Sequence, residues 1–181
     1  MKYKKLAFTT LALGAGLATY LIKNKTNKNI IEQAVPNFDI EKYLGLWYQI
    51  ARTDLQWEKD RINVTARYLR NEDNTIEVIN RGFDEKNEAW KTSRGIAKQI
   101  KDGFGQFKIS LFGPVFSPYN VIDIDEDYKF ALVAGKNTDF LWILSRDKSI
   151  PENIKDRFLN KAQELGYDIN NLIWTKHNEI K

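Results

Sequence analysis

The sequence predicts an all-β fold, an eight-stranded up-and-down antiparallel β-barrel with one C-terminal α-helix packed outside it and an N-terminal hydrophobic helix ahead of it. Three observations carry this. After Pro36 the apolar residues recur with a period of two, turn signals follow at intervals of about ten residues, and the period changes to helical only after Ser149. An aromatic content of 13% suits the inside of such a barrel, where large rings supply much of the buried area.

In chain order, residues 1–22 come first. Lys2, Lys4 and Lys5 precede an uncharged run from Leu6 to Ile22, the pattern of an export signal or a membrane anchor. As a helix the run covers about 25 Å, near the lower limit for crossing a bilayer. Cleavable signal and retained anchor both stay open. Residues 23–36 read as a polar linker, and residues 37–181 as the barrel domain.

Strands are expected near 45–54, 62–70, 75–83, 88–99, 105–112, 119–125, 128–135 and 139–146. In the third, Ile76, Val78 and Asn80 alternate with Glu77, Ile79 and Arg81. In the fifth, Phe107, Ile109 and Leu111 alternate with Lys108 and Ser110, so each strand offers one face to an interior and one to solvent. Short polar connections such as Glu72-Asp73-Asn74 and Lys101-Asp102-Gly103 favour hairpins. Eight such strands can close on themselves and remove every exposed edge. Ser149-Ile150-Pro151-Glu152 then reads as a capping box, followed at helical spacing by Ile154, Phe158, Ala162 and Leu165.

Charge and inventory exclude several functions. Up to Val35 there are six lysines and one glutamate, leaving 22 basic and 23 acidic residues for the rest, so the domain is nearly neutral. A cationic face for nucleic acid is not expected. With no cysteine and a single histidine, His177, neither a thiolate nucleophile nor a multi-imidazole metal site can be assembled. The acidic run Asp123, Asp125, Glu126 and Asp127 lacks the spacing and glycine of a calcium loop and reads as a solvated turn. No cofactor, metal or catalytic residue is expected, and the chain is not read as an enzyme.

The ordered motifs resemble the lipocalin family, in particular its bacterial outer-membrane type. The residues concerned are Asn37-Phe38-Asp39, Tyr43-Leu44-Gly45-Leu46-Trp47-Tyr48, Val78-Ile79-Asn80-Arg81-Gly82-Phe83, Phe112-Gly113-Pro114-Val115-Phe116 and Leu141-Trp142-Ile143-Leu144-Ser145-Arg146. The resemblance implies that Gly45, Trp47 and Arg146 are structural, with Arg146 laid across the Trp47 ring to close one end of the barrel. It differs at one point. Outer-membrane relatives carry a lipidated cysteine after the signal, and here Leu13-Gly14-Ala15-Gly16-Leu17 has none, so anchoring would rest on the apolar segment alone.

With Trp47 inward, strand alternation turns Gln49 and Ala51 inward too. The same counting along the family pattern gives Ala66, Tyr68, Val78, Asn80, Phe107, Ile109, Leu111, Tyr119, Val121, Ala131, Val133, Trp142 and Leu144 as the inner face. Ala51 and these residues other than Phe107 are the expected cavity lining, with Tyr68, Asn80 and Trp142 favoured for contact. A mostly apolar lining with few polar tips suits a small apolar lipid, a fatty acid or lysophospholipid, held at the cell envelope. Trp57, Phe112 and Phe116 are expected at the mouth, or alternatively Phe112-Gly113-Pro114-Val115-Phe116 forms an exposed patch for a membrane or a second copy in a homodimer. Two other functions stay open, an enzyme of unrecognised type acting on a lipid in the same cavity and a structural envelope protein acting through its aromatic mouth.

Overall fold

A computed structural model describes residues 28–111 and 113–179. The segment 1–22, the start of the expected linker and Phe112 lie outside the described residues. Eight strands form the barrel: β1 (Gly45–Arg52), β2 (Arg61–Arg70), β3 (Ile76–Asp84), β4 (Ala89–Gln99), β5 (Gln106–Ser110), β6 (Ser117–Ile124), β7 (Phe130–Ala134) and β8 (Leu141–Ser145). Each pairs antiparallel with the next, and β1 pairs with both β8 and β2, which closes the ring. The alternation and turn chemistry therefore locate all eight strands to within two residues at either end.

Two apolar clusters hold the fold. One fills the barrel, with Trp47, Tyr68, Val78, Phe107, Val121, Val133 and Leu144 among its buried members. The other lies outside the wall, where Ile50, Ile122, Leu132 and Ile143 meet Phe158 and Ala162 of the long helix α3 (Glu152–Glu164). Strands β6 to β8 are thus apolar on both faces, because a helix covers the second one.

The start of α3 differs from the expected capping box. Pro151, not Ser149, occupies the N-cap, and its carbonyl accepts from the amides of Ile154 and Lys155 at 3.1 and 3.0 Å. Proline presets the backbone for helix entry, and Glu152, now the first helical residue, pairs with Lys155 at 2.9 Å. At the other end Gly166, at φ +86°, lets the amide of Tyr167 reach the Ala162 carbonyl, closing the helix in a Schellman turn.

The expected linker is shorter than its polarity suggests. A helical turn, α1 (Lys28–Ile31), buries Ile30 completely in the outer cluster, and Val35 exchanges backbone hydrogen bonds with Val121 and Gly105. From residue 28 the chain is packed on the barrel, since Ile30, Ala34 and Val35 give it an apolar side. A second helical turn, α2 (Ile40–Tyr43), capped by Asp39, leads into β1 beneath the barrel.

Along β1 the pairing with β2 ends at Tyr48 and Thr65. Beyond it, β9 (Ile173–Trp174) pairs with Arg52 and Ala51, the amide of Thr175 donates to Ile50 O, and the amide of Asn63 donates to Lys176 O. The C-terminal segment is thereby wedged between β1 and β2 as part of the wall.

Candidate functional site

The site is easiest to build from its closed end. Gly45 turns from α2 into β1 at φ +97°, a backbone that side-chain-bearing residues seldom adopt, and the position of an added Cβ would lie 3.4 Å from the Arg146 guanidinium. Trp47, fully buried, donates from its indole nitrogen to Tyr43 O at 2.8 Å. Arg146 lies 3.8 Å above the Trp47 ring centre. It also donates to the carbonyls of Leu46, Lys42, Leu44, Tyr43 and Tyr128 at 2.7 to 3.2 Å. One planar cation thus satisfies the carbonyls of α2 and seals the floor, the structural role the resemblance implies for these three residues.

Above the floor three tyrosines meet. Tyr119 Oη lies 2.7 Å from Tyr43 Oη and 2.6 Å from Tyr68 Oη. Burial raises all three phenols, Tyr68 to about 12, so the cluster stays neutral and acts through hydrogen bonds. Over it opens a cavity of about 60 Å³. Ala66, Tyr68, Val78, Asn80 and Ile109 line it, with Leu111, Tyr119, Trp142 and Leu144. The cavity continues into a recess of about 310 Å³ at the open end, which shares Trp57, Ile109, Leu111 and Trp142 and adds Val115, Pro118, Lys136 and Phe140. Trp57 stacks on Phe140 at 6.1 Å and Phe140 on Trp142 at 6.4 Å. The inner space holds only a few waters, against about 300 Å³ or more for sites that enclose a drug-sized ligand, so a long chain must displace side chains to enter. Larger recesses of about 570 and 550 Å³ lie on the outer wall, the first reaching Leu46 and the second sharing Leu111 with the mouth.

Nine of the thirteen expected lining residues come together around the cavity. Val121, Ala131 and Val133 belong to the packed inner cluster and do not border it. Ala51 does not face inward at all. A β-bulge between Gln49 and Ala51 shifts the register, so Ala51 opposes Ile143 in the outer cluster. Past the bulge, Arg52 opposes Trp142.

Two groups at this end were not foreseen. Glu58, at the end of a short helical turn (Gln56–Glu58), borders the cavity beside Gln49, Val64 and Thr65. Its carboxylate lies 3.2 Å from Arg52 Nε, and Arg52 is itself buried. Burial pushes the Glu58 carboxyl up, and the Arg52 charge holds it partly back. Residues on a loop follow no period, and the only trace in the sequence is an arginine closing a strand six residues before a glutamate.

Of the other expectations, Trp57 stands at the mouth, together with Val115, which is 71% exposed. Phe116 points to the outer wall between Lys98 and Lys108, whose Nζ atoms lie 5.8 and 5.5 Å from its ring. The acidic run forms a turn. Asp125 accepts from the amides of Lys129 and Phe130, and Asp123 pairs with Arg157 at 3.2 Å. Among the described residues no group of three or more His, Cys, Asp or Glu side chains could hold a metal ion.

With a plugged floor, a closed wall and one open end in view, the comparisons with known proteins decide the family. The lipocalin-like domain family matches residues 38–177. The chain belongs to the lipocalins. It is 43% identical over 143 residues to the outer membrane lipoprotein Blc of Citrobacter freundii, covering 78% of this chain and 81% of that one. It is 40% identical over 145 residues to the Blc protein of Escherichia coli K12, with the same coverage. Among solved lipocalin folds, insecticyanin of the tobacco hornworm aligns with a TM-score of 0.66 at 18% identity, over 81% of this chain and 84% of that one. Lipocalins are binding and carrier proteins for small hydrophobic molecules, and the barrel described above has the form for that role.

Proposed function

We propose that this lipocalin binds and carries or stores an apolar ligand, a fatty acid or lysophospholipid, within the barrel at the bacterial cell envelope, in membrane maintenance or lipid scavenging. The observation that carries the reading is the polarity of the barrel itself. One end is sealed by Trp47 and Arg146, and an interior lined mainly by apolar side chains opens at the other, beside Trp57, Phe140 and Trp142. Such a cup buries a hydrocarbon chain, at about 0.8 kcal/mol per methylene, and leaves a head group near water. The Blc relatives, named as outer membrane lipoproteins, support the envelope location. In this chain, which has no cysteine, residues 1–22 would serve as export signal or anchor.

Mass spectrometry of the protein extracted from its native membrane fraction tests both parts. A stoichiometric co-purified lipid and an N-terminus at or after residue 1 that accounts for envelope retention are expected; a barrel that is always empty would count against carriage. Conversion of bound lipid that stops in Tyr68→Phe or Asn80→Ala would favour an enzyme instead.

A further inference from the structure

The long helix α3 packs over strands β6 to β8, whereas no helix covers the outer face of β2 to β5 among the described residues. Alternation decides what stands on that face. Ala66, Val78, Asn80, Ala97 and Phe107 face the interior, so Arg67, Arg81, Arg94, Lys98 and Lys108 point outward, and all five are exposed. Lys148 joins them, bordering the same recess as Arg67 and Arg81. Glu77 is the one carboxylate among the outward strand positions, and it pairs with Arg94 at 2.6 Å. Among the described residues the other five cations have no carboxylate partner. Asp73 and Asp84, at the two ends of these strands, accept from the amides of Thr75 and Asn87 in their own turns. The domain is nearly neutral as a whole, so its charges are sorted, with a basic wall on one side and the compensating acids elsewhere.

Large apolar side chains stand between the cations. Leu69, Trp90, Ile96 and Phe116 are 39 to 43% exposed, and the Arg81 guanidinium lies 4.1 Å from the centre of the Trp90 ring. The recess of about 570 Å³ between Arg67, Arg81, Trp90 and Lys148 has no carboxylate in its lining. Cations interleaved with half-exposed rings and aliphatic groups match the head-group layer of a bilayer, where anionic phosphates lie just above apolar chains and tryptophan is at home. Charge speaks against two other occupants. The N-terminal segment of this chain, with six lysines and one glutamate up to Val35, has the same sign as the wall. A second copy presenting the same wall would set like charges against each other.

We infer that the outer wall of β2 to β5 is the face with which the protein lies on an anionic phospholipid bilayer. Head-group phosphates sit among Arg67, Arg81 and Lys148, and Trp90 enters the interface. The cup then opens along the membrane plane and not into it. This rests on the envelope location and not on what the cup holds, and Nile red binding by the same samples reports the carrier reading separately.

The chain has no cysteine, so a single one can carry a polarity-sensitive dye. Full-length protein is labelled at Thr92→Cys on the wall, at Thr138→Cys in the β7–β8 turn beside the mouth, or at Asn160→Cys on α3. Each is mixed with vesicles of phosphatidylcholine alone or with about 30% phosphatidylglycerol added. Attachment through the N-terminal segment is open to both kinds, so the difference between them reports how the barrel lies. The Thr92 label should brighten on the anionic vesicles and lose the gain in high salt, while the other two change little. Each basic side chain at such a surface is worth about a factor of five, so Arg67→Glu with Arg81→Glu should lower the docked-to-free ratio by about twentyfold or more. Lys129→Glu with Arg157→Glu makes the same change in net charge away from the wall and should leave the gain in place. Should the reversed wall not fold, Arg67→Gln with Arg81→Gln should give a smaller loss in the same direction.

An equal gain on neutral vesicles, or a gain unaffected by reversing Arg67 and Arg81, would overturn the inference. So would a gain at Thr138 without one at Thr92, because the mouth would then be the docking end. A Thr92 gain without vesicles that grows with protein concentration would assign the wall to a second copy, and one that persists at every dilution would assign it to the N-terminal segment. Nile red bound normally by a protein that shows no wall docking leaves the carrier reading standing and this one fallen.

Discussion

The two ends of this barrel are built on opposite rules. At the floor a tryptophan, an arginine and a glycine meet with every polar group answered, Arg146 alone serving five carbonyls while it covers the Trp47 ring. At the mouth large rings stand part-exposed, and the buried Glu58 carboxylate is held by its ion pair with Arg52 at 3.2 Å. The floor is held by many hydrogen bonds to one cation, the mouth by ring stacking and a single buried ion pair, so the two ends of one interior are stabilised in different ways.

Substitutions at each end should separate the two. Trp47→Ala is expected to have the largest effect, a loss of about 3–5 kcal/mol in urea unfolding, because the cavity left in the floor has no way to collapse. Arg146→Met should cost about 2–3 kcal/mol, since several carbonyls lose a charged donor together; an unchanged midpoint would mean that the floor does not depend on this cation. At the mouth, Leu111→Trp should lower ligand affinity by about tenfold or more by filling the bore, at a cost near 1 kcal/mol in stability. Equal losses in both would show that floor and mouth are not independent.

The smallest effect concerns pH. Burial raises the Glu58 carboxyl above its ordinary value of 4.5, so the folded chain holds that proton more tightly than the unfolded one. Stability from this group is therefore greatest below about 4.5 and declines as pH rises through the folded-state value, where a charged, buried carboxylate must be carried. Thermal unfolding of wild type and Glu58→Gln across the acid range should show the wild-type advantage shrinking with increasing pH. An advantage that grew with pH would mean that the Arg52 charge outweighs desolvation.

The sequence made the barrel legible because alternation is a local property that each strand displays on its own. Nine residues that border the cavity followed from counting in twos along the family pattern, and the floor from a motif that a family shares. Counting stopped working at the bulge after Gln49, which depends on how β1 meets β8 and β9 and leaves no mark on β1 itself. That single irregularity moves Ala51 outside and Arg52 to the inner side. Glu58 sits on a turn, where no period exists to read, and its importance arises from burial created by strands far away in the chain. Residues 28–36 read as a linker for a similar reason, since Ile30 and Val35 look isolated among polar neighbours until the outer wall and the β5–β6 edge receive them.

The C-terminal wedge has a consequence for the order in which the molecule is made. β1 and β2 diverge beyond Tyr48 and Thr65, and residues 173–176 fill the gap between them. A chain still emerging from the ribosome has synthesised all eight strands before the piece that completes its wall exists. Until then Ile50 O and the Asn63 amide lack the C-terminal partners that close the seam, so the wall of the barrel is the last part of the molecule that can be completed.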